Sequence, residues 1–291
     1  MGKRYEAVKI NPKRFHLNQL PFLAIVLPFA LLMLLPLVYI FNHAFKPYDE
    51  LVEFPPRFFV RRATLDNFTE LFRATTTTGI PVSRYLFNSI VITIIVVLLS
   101  IFLSSLTGYA LSKMKFHIKG ILSEINTLAM MFVGTAVAIP RYIVIENFGL
   151  INSFMVHIIP FLAVPVGMFL IKQFIDQVPN ELIEAAKMDG ASHFMIYRKV
   201  ILPLIKPAIS TIAILSFQSV WNNADVSATF INSDSLKTFA YYMTTLSSVS
   251  NPIAGYGMSA AASLIMFVPN LIFFIILQSQ VMSTMAHSGI K

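Results

Sequence analysis

The chain has no cysteine. That excludes a disulfide framework, a thiolate metal site and a cysteine nucleophile. Charge is the second shortage: Asp, Glu, Lys and Arg make up 12% of the residues, against about 25% in an ordinary soluble domain. Hydrophobic residues make up 56% of the 291. Such a chain is not an ordinary soluble enzyme, a disordered tail or a collagen-like fibre, and an integral membrane protein is expected. No Gly-x-x-x-x-Gly-Lys-Ser/Thr run occurs, so the chain cannot hold ATP in the P-loop manner. The histidines form no His-x-x-x-His pair for zinc, and no metal or cofactor is expected on this chain. No carboxylate sits in the middle of an apolar run, as an ion-coupled carrier would need. A nucleophile–base constellation is also missing. Gly257-Met258-Ser259 lacks the following glycine of an intramembrane serine protease, so the chain is expected not to be an enzyme. The net charge of +8 comes without a basic stripe interleaved with aromatics, which argues against nucleic acid.

What is present is apolar length. A hydrocarbon core about 30 Å thick takes about 20 helical residues. The sequence predicts six such spans, at 21–41, 87–111, 123–145, 154–175, 205–224 and 258–282. The first is read as a retained helix, because its run is too long for a signal core and Asn42-His43-Ala44-Phe45 is a poor cleavage site. The expected organisation is a tail at 1–20, a membrane domain at 21–282 and a tail at 283–291. The loop 112–122 carries Lys113, Lys115 and Lys119, whereas 146–153 carries neither Lys nor Arg. The positive-inside rule therefore predicts both termini in the cytoplasm. Pro28, Pro36, Pro140, Pro160, Pro165 and Pro269 fall inside the expected spans and are expected to kink them. Between the first two spans, Leu65, Phe68, Leu71 and Phe72 have the spacing of a short amphipathic helix.

The segment 176–203 is too elaborate for a connector. Pro179 suits the first turn of a helix, with Glu181 and Glu184 near its positive end. Gly190 can take positive φ and end that helix, and Ser192 can cap a second one. Glu181, Glu184, Ala185 and Met188 share one face. Ala185 and Ala186 thin the helix so that it can sink into a partner's groove, where Glu184 would meet a cation. A helix lying on lipid is the alternative, but acidic residues without a basic face suit anionic lipid poorly.

Glu184-Ala185-Ala186, then Gly190, then Val200-x-Leu202-Pro203, resembles the EAA loop of bacterial ABC importer permeases. Val200 departs from the usual isoleucine. Asn88-Ser89-Ile90, Gly108-Tyr109-Ala110-Leu111-Ser112, Ile139-Pro140, Gly149-Leu150-Ile151-Asn152, Phe169-Leu170-Ile171-Lys172-Gln173-Phe174 and Trp221-Asn222 resemble the carbohydrate branch, the six-span permease of maltose-type importers above all. The likeness runs from about residue 64 to the end, and the first span fits too. It implies an all-α type I importer permease in the bacterial inner membrane. It also implies a second homologous permease, two ATPase subunits carrying ATP and Mg, and an extracytoplasmic solute-binding protein. Glu184, Ala185, Ala186, Met188, Asp189 and Gly190 would then engage the ATPase. The external stretch 225–257 would correspond to a loop that reaches toward the binding protein.

Sugar sites combine aromatic faces with amides, and Phe217, Gln218, Trp221, Asn222 and Asn223 supply both, with Tyr142 as a possible addition. The aromatics could equally belong to the interfacial belt. Arg141 either faces a cavity and binds substrate hydroxyls or carboxylates, or snorkels to the outer surface. His157 reads as a packed or hydrogen-bonded histidine, and His193 as a surface or interface residue. The competing class is an ion-coupled secondary carrier, disfavoured by the missing carboxylate.

Overall fold

The computed structural model describes residues 19–74, 79–246 and 252–288. Most of the expected N-terminal tail and the last three residues of the C-terminal one therefore lie outside the described residues. The described chain is all-helical. Its longer helices are α1 (Leu20–Phe45), α2 (Asp66–Arg73), α3 (Val82–Lys113), α4 (Lys119–Met131), α5 (Ala138–Asn147), α6 (Pro165–Asp176), α7 (Asn180–Met188), α8 (Lys206–Trp221), α9 (Asp225–Phe230), α10 (Phe239–Leu246) and α11 (Pro252–Ser288). The chain divides into two compact units, one of residues 1–70 and 249–264, the other of residues 71–248 and 265–291.

Among the described residues, four stretches are long and apolar enough to cross a membrane: Leu20–Phe45, Val82–Lys113, Phe154–Asp176 and Gly255–Gln278. A fifth arises if His193–Leu204 and Lys206–Trp221, bent by 83°, count as one. The expected third span is the difference. Residues 123–145 do not form one helix but belong to α4, of 13 residues, and α5, of 10, with Phe132–Val137 between them. Pro140 is the third residue of α5, where no intrahelical N–H is needed, so it sits in the start of a new helix rather than a kink. Pro160 and Pro165 open helical turns in the same way. Only Pro28, Pro36 and Pro269 lie inside continuous helices.

In the first unit, the apolar window of α1 buries none of its residues. Order begins at its C-terminal end. Asn67, at the start of α2, donates to the carbonyls of His43, Ala44 and Lys46, at 3.3, 3.0 and 2.8 Å, and so serves acceptors that a helix end leaves open. Gly257 packs against this contact, since a Cβ there would lie 2.3 Å from Asn67 Oδ1. Glu50 is buried and accepts from the backbone N–H groups of Arg61 and Arg62, both at 3.0 Å.

The second unit is built on α3, which packs against α6 and α8. Ser100, Ser104 and Gly108 recur every fourth residue and are all buried, and small side chains let membrane helices approach closely. A Cβ on Gly108 would fall 2.5 Å from Ile171 Cγ2 on α6. Tyr109, Ile171, Ile175, Ile183, Ile196, Ile201 and Ile212 form one buried cluster that joins these helices to the 176–203 segment.

Candidate functional site

The local chemistry of 176–203 produces the expected helix. Pro179 precedes α7, Gly190 follows it at φ +78°, and Ser192 Oγ accepts from Met195 N at 3.3 Å to cap the next turn. A left-handed residue after a helix is where glycine costs least. A π-helical turn, Tyr197–Ile201, then leads to the bend at Ile205.

α7 has two faces of different character. Ile183 is buried and Ala186 packs against the same cluster. Glu181, Glu184, Ala185 and Met188 are exposed on the other side. Met188 is 84% exposed and Leu182 47%, so the outer face offers apolar contact beside the Glu184 carboxylate. Asp189 is exposed and Gly190 turns the chain away.

The segment is pinned to α3 at three points that sequence reading assigned no role. Lys113 Nζ donates to Val178 O at 2.7 Å and to Asn180 Oδ1 at 2.8 Å. The Tyr109 hydroxyl and His193 Nδ1 lie 3.2 Å apart. The Ser105 and Tyr197 hydroxyls meet at 2.7 Å in a buried contact. Ser105, Tyr109 and Lys113 lie four residues apart, hence on one face of α3. That periodicity was the available signal.

The expected substrate residues do not form one cluster. Phe217 and Trp221 are core side chains: Phe217 stacks on Phe273 at 4.4 Å, and Trp221 Nε1 donates to Met266 O at 3.0 Å. Their rings face α11, so they offer no free platform. Gln218 and Asn222, each one residue beyond those rings, are exposed. Asn270, which sequence reading missed, donates to Asn222 Oδ1 at 3.3 Å. Asn223 Oδ1 accepts from Val226 N at 3.0 Å and helps start α9. Tyr142 stacks on Phe230 at 5.7 Å. Arg141 is half-buried, and its guanidinium lies over the rings of Phe161 and Phe230, at 5.6 and 5.9 Å. His157 is buried, with a backbone hydrogen bond to Leu236.

In the 225–257 stretch, residues 225–246 are tied to α3 and to Asn152. Asn88 Nδ2 donates to the carbonyls of Ser235 and Lys237, both at 2.9 Å, and Phe239 N donates to Ser89 Oγ at 2.8 Å. Asn152, at φ 57°, accepts from Asn232 N and Ser233 N through its Oδ1. Burial pulls the Lys237 ammonium down, but Asp234 and the Tyr241 hydroxyl outweigh it and hold the group above the usual lysine range.

The model of the family described as binding-protein-dependent transport system inner membrane component matches residues 17–281. The chain is 28% identical over 265 residues to the arabinooligosaccharides transport system permease protein AraQ of Bacillus subtilis (strain 168), covering 90% of this chain and 92% of the relative. It is 27% identical over 260 residues to the trehalose transport system permease protein SugB of Mycobacterium tuberculosis (strain CDC 1551 / Oshkosh), covering 89% and 92%. Its fold is similar to a chain in the crystal structure of a bacterial ABC transporter involved in the import of the acidic polysaccharide alginate, with a TM-score of 0.76 and 20% identity over 91% of this chain and 98% of that one.

Proposed function

The chain belongs to the family of binding-protein-dependent transport system inner membrane components, and from that premise we propose that it is the permease subunit of an ATP-driven importer of an oligosaccharide or related glycoside. The family makes it a non-catalytic, multi-pass component of the inner membrane. The carbohydrate class is supported by relatives named for arabino-oligosaccharides and trehalose. Energy comes from two ATPase subunits, a second permease completes the path, and a solute-binding protein delivers the cargo.

The observation that carries this reading is the divided character of α7. Its inner face is sealed into the core through Ile183 and Ala186, while Glu184, Ala185 and Met188 stand outside. Such a helix is built to enter a groove on a partner. Glu184, Ala185, Met188, Asp189 and Gly190 form the ATPase contact, within a coupling loop at 176–203, and Ala186, expected to join them, backs the helix from the core side. The membrane domain at 21–282 crosses six times, with α4 and α5 together as the third crossing and the bent segment before α8 leading into the fifth. Both termini are cytoplasmic, since Lys113, Lys115 and Lys119 share a side with the coupling loop. Exposed amides at Gln218 and Asn222, with Arg141 and Tyr142, line the solute path.

Co-purification tests the reading. The chain is co-expressed with the second permease, ATPase and binding protein of its locus, as wild type and as Glu184→Lys. Wild type is expected to retain the ATPase and the variant to lose it. A wild-type chain that never retains an ATPase refutes the proposal.

A further inference from the structure

Arg141, placed on the solute path, carries a charge that the transport reading does not use. It belongs to α5, six residues before the helix end, which is about 9 Å at 1.5 Å per residue. Its Nε is buried with no hydrogen-bond acceptor. Among the described residues no carboxylate comes within 4.0 Å of its guanidinium. Among the described residues its charge is met by the faces of Phe161 and Phe230, and ring faces attract a cation far less than an anion does. A pocket of about 600 Å³ opens beside it, lined by Val137, Pro140, Val144, Phe148 and Pro160 among others. Ligand sites commonly have this volume, with mostly apolar walls and one or two placed polar groups that select the ligand. Here the placed group is a lone arginine, whose planar fork fits carboxylate or sulfonate oxygens.

The rest of the setting favours a soluble anion. Phe148 lines the pocket and is 76% exposed, and it offers a flat face to the C–H side of a sugar ring. Beyond α5 the chain is tied to polar backbone: Asn152 N donates to Phe230 O at 2.8 Å, and its side chain meets Asn232 and Ser233. We infer that the Arg141 pocket is an oxyanion site for the carboxylate or sulfonate of an acidic sugar on the translocation path. This rests on the importer reading and deepens it: the cargo carries an acidic group. A neutral sugar would offer the guanidinium hydroxyl acceptors but no opposite charge.

The test uses the whole transporter, co-expressed with its partners and placed in nanodiscs. Equilibrium binding is measured with digalacturonate and with its neutral counterpart galactobiose, for wild type, Arg141→Lys and Arg141→Gln. Digalacturonate binding is expected to fall at least tenfold in Arg141→Gln, to be partly kept in Arg141→Lys, and to weaken with salt. Galactobiose binding is expected to be the same in all three. Absence of digalacturonate binding in wild type, or an equal loss of both sugars in Arg141→Gln, overturns the inference. So does mass spectrometry showing that Arg141→Gln sheds a phospholipid while digalacturonate binding stays unchanged, because the anion is then a lipid headgroup. If Arg141→Gln does not assemble, Val144→Phe narrows the pocket and keeps the charge. It should depress digalacturonate binding, and unchanged binding overturns the site. ATPase retention, scored on the same preparations, tests the importer reading separately.

Discussion

The contact between Ser105 and Tyr197 makes a directional prediction. Ser105 Oγ also lies 3.1 Å from Phe102 O, to which it donates. A hydroxyl has one proton to give, so Tyr197 must be the donor in the 2.7 Å contact. Both side chains are buried, Ser105 at 0% and Tyr197 at 3% exposure. Ser105→Ala strands a buried phenol without an acceptor, which costs about 1–3 kcal/mol. Tyr197→Phe leaves Ser105 with its second bond, and only the net value of one hydrogen bond is lost, about 0.5–1.5 kcal/mol. Ser105→Ala should therefore be the harsher change, although it removes the smaller group. The double variant should be milder than the sum, because it strands nothing. Differential scanning fluorimetry of the purified complex reads the order, at about 2–4 °C per kcal/mol for a domain of this size. The ratio of substrate-stimulated to basal ATPase activity reads the consequence for coupling, and Ser105→Ala is expected to lower it more. The reasoning fails if Tyr197→Phe melts lower than Ser105→Ala, or if the two effects add.

Gly108→Val places a branched side chain where even a Cβ would meet Ile171 Cγ2 at 2.5 Å. A loss of roughly 1–3 kcal/mol is expected, and partial recovery of the melting temperature in Gly108→Val/Ile171→Ala is the check. Asn88→Leu removes donors from two carbonyls, Ser235 and Lys237, with an expected cost of roughly 2 kcal/mol or more. Limited proteolysis should then cut within 231–246 faster than in wild type.

Legibility followed the range of the forces involved. The helix at 180–188 was readable because its limits are set locally, by Pro179, Gly190 and Ser192, and α2 was readable from Phe68, Leu71 and Phe72, with Leu65 just before its first turn. Polarity within α8 was not. Phe217 and Trp221 differ from Gln218 and Asn222 by a residue or so, and only the packing of Phe273 and Met266 decides which side is core. The break at 132–137 escaped because its residues apart from Gly134 and Thr135 are apolar and none is charged, so composition alone read continuity through it. Asn270 sits 48 residues from Asn222, beyond any local pattern. Motif residues such as Asn88, Tyr109 and Asn152 stood out by resemblance, but their hydrogen-bond partners lie too far along the chain to be foreseen.

Those partners also explain how one helix can serve both ends of the permease. Near the start of α3, Arg84 and Asn88 hold the Ser235–Lys237 backbone, and Ser89 holds Phe239. Near its end, Ser105, Tyr109 and Lys113 hold the coupling segment. Asn88 and Lys113 are 25 residues apart on an unbroken helix, about 38 Å along its axis, which exceeds the thickness of the hydrocarbon core. A continuous hydrogen-bonded helix transmits tilt better than a chain of loops does. The close approach at Gly108 locks α3 to α6 within the second set of contacts, between Ser105 and Tyr109. A force applied to α7 at Glu184, the contact proposed for the ATPase, would therefore reach the 235–239 turn through a single rigid element. Weakening the Ser105, Tyr109 or Lys113 contacts should uncouple the two ends while leaving the Asn88 and Ser89 contacts intact. Protease sensitivity of 231–246 in Tyr109→Phe should match wild type even where ATP-driven uptake falls, and a loop that loosens along with the coupling segment would refute this division of labour.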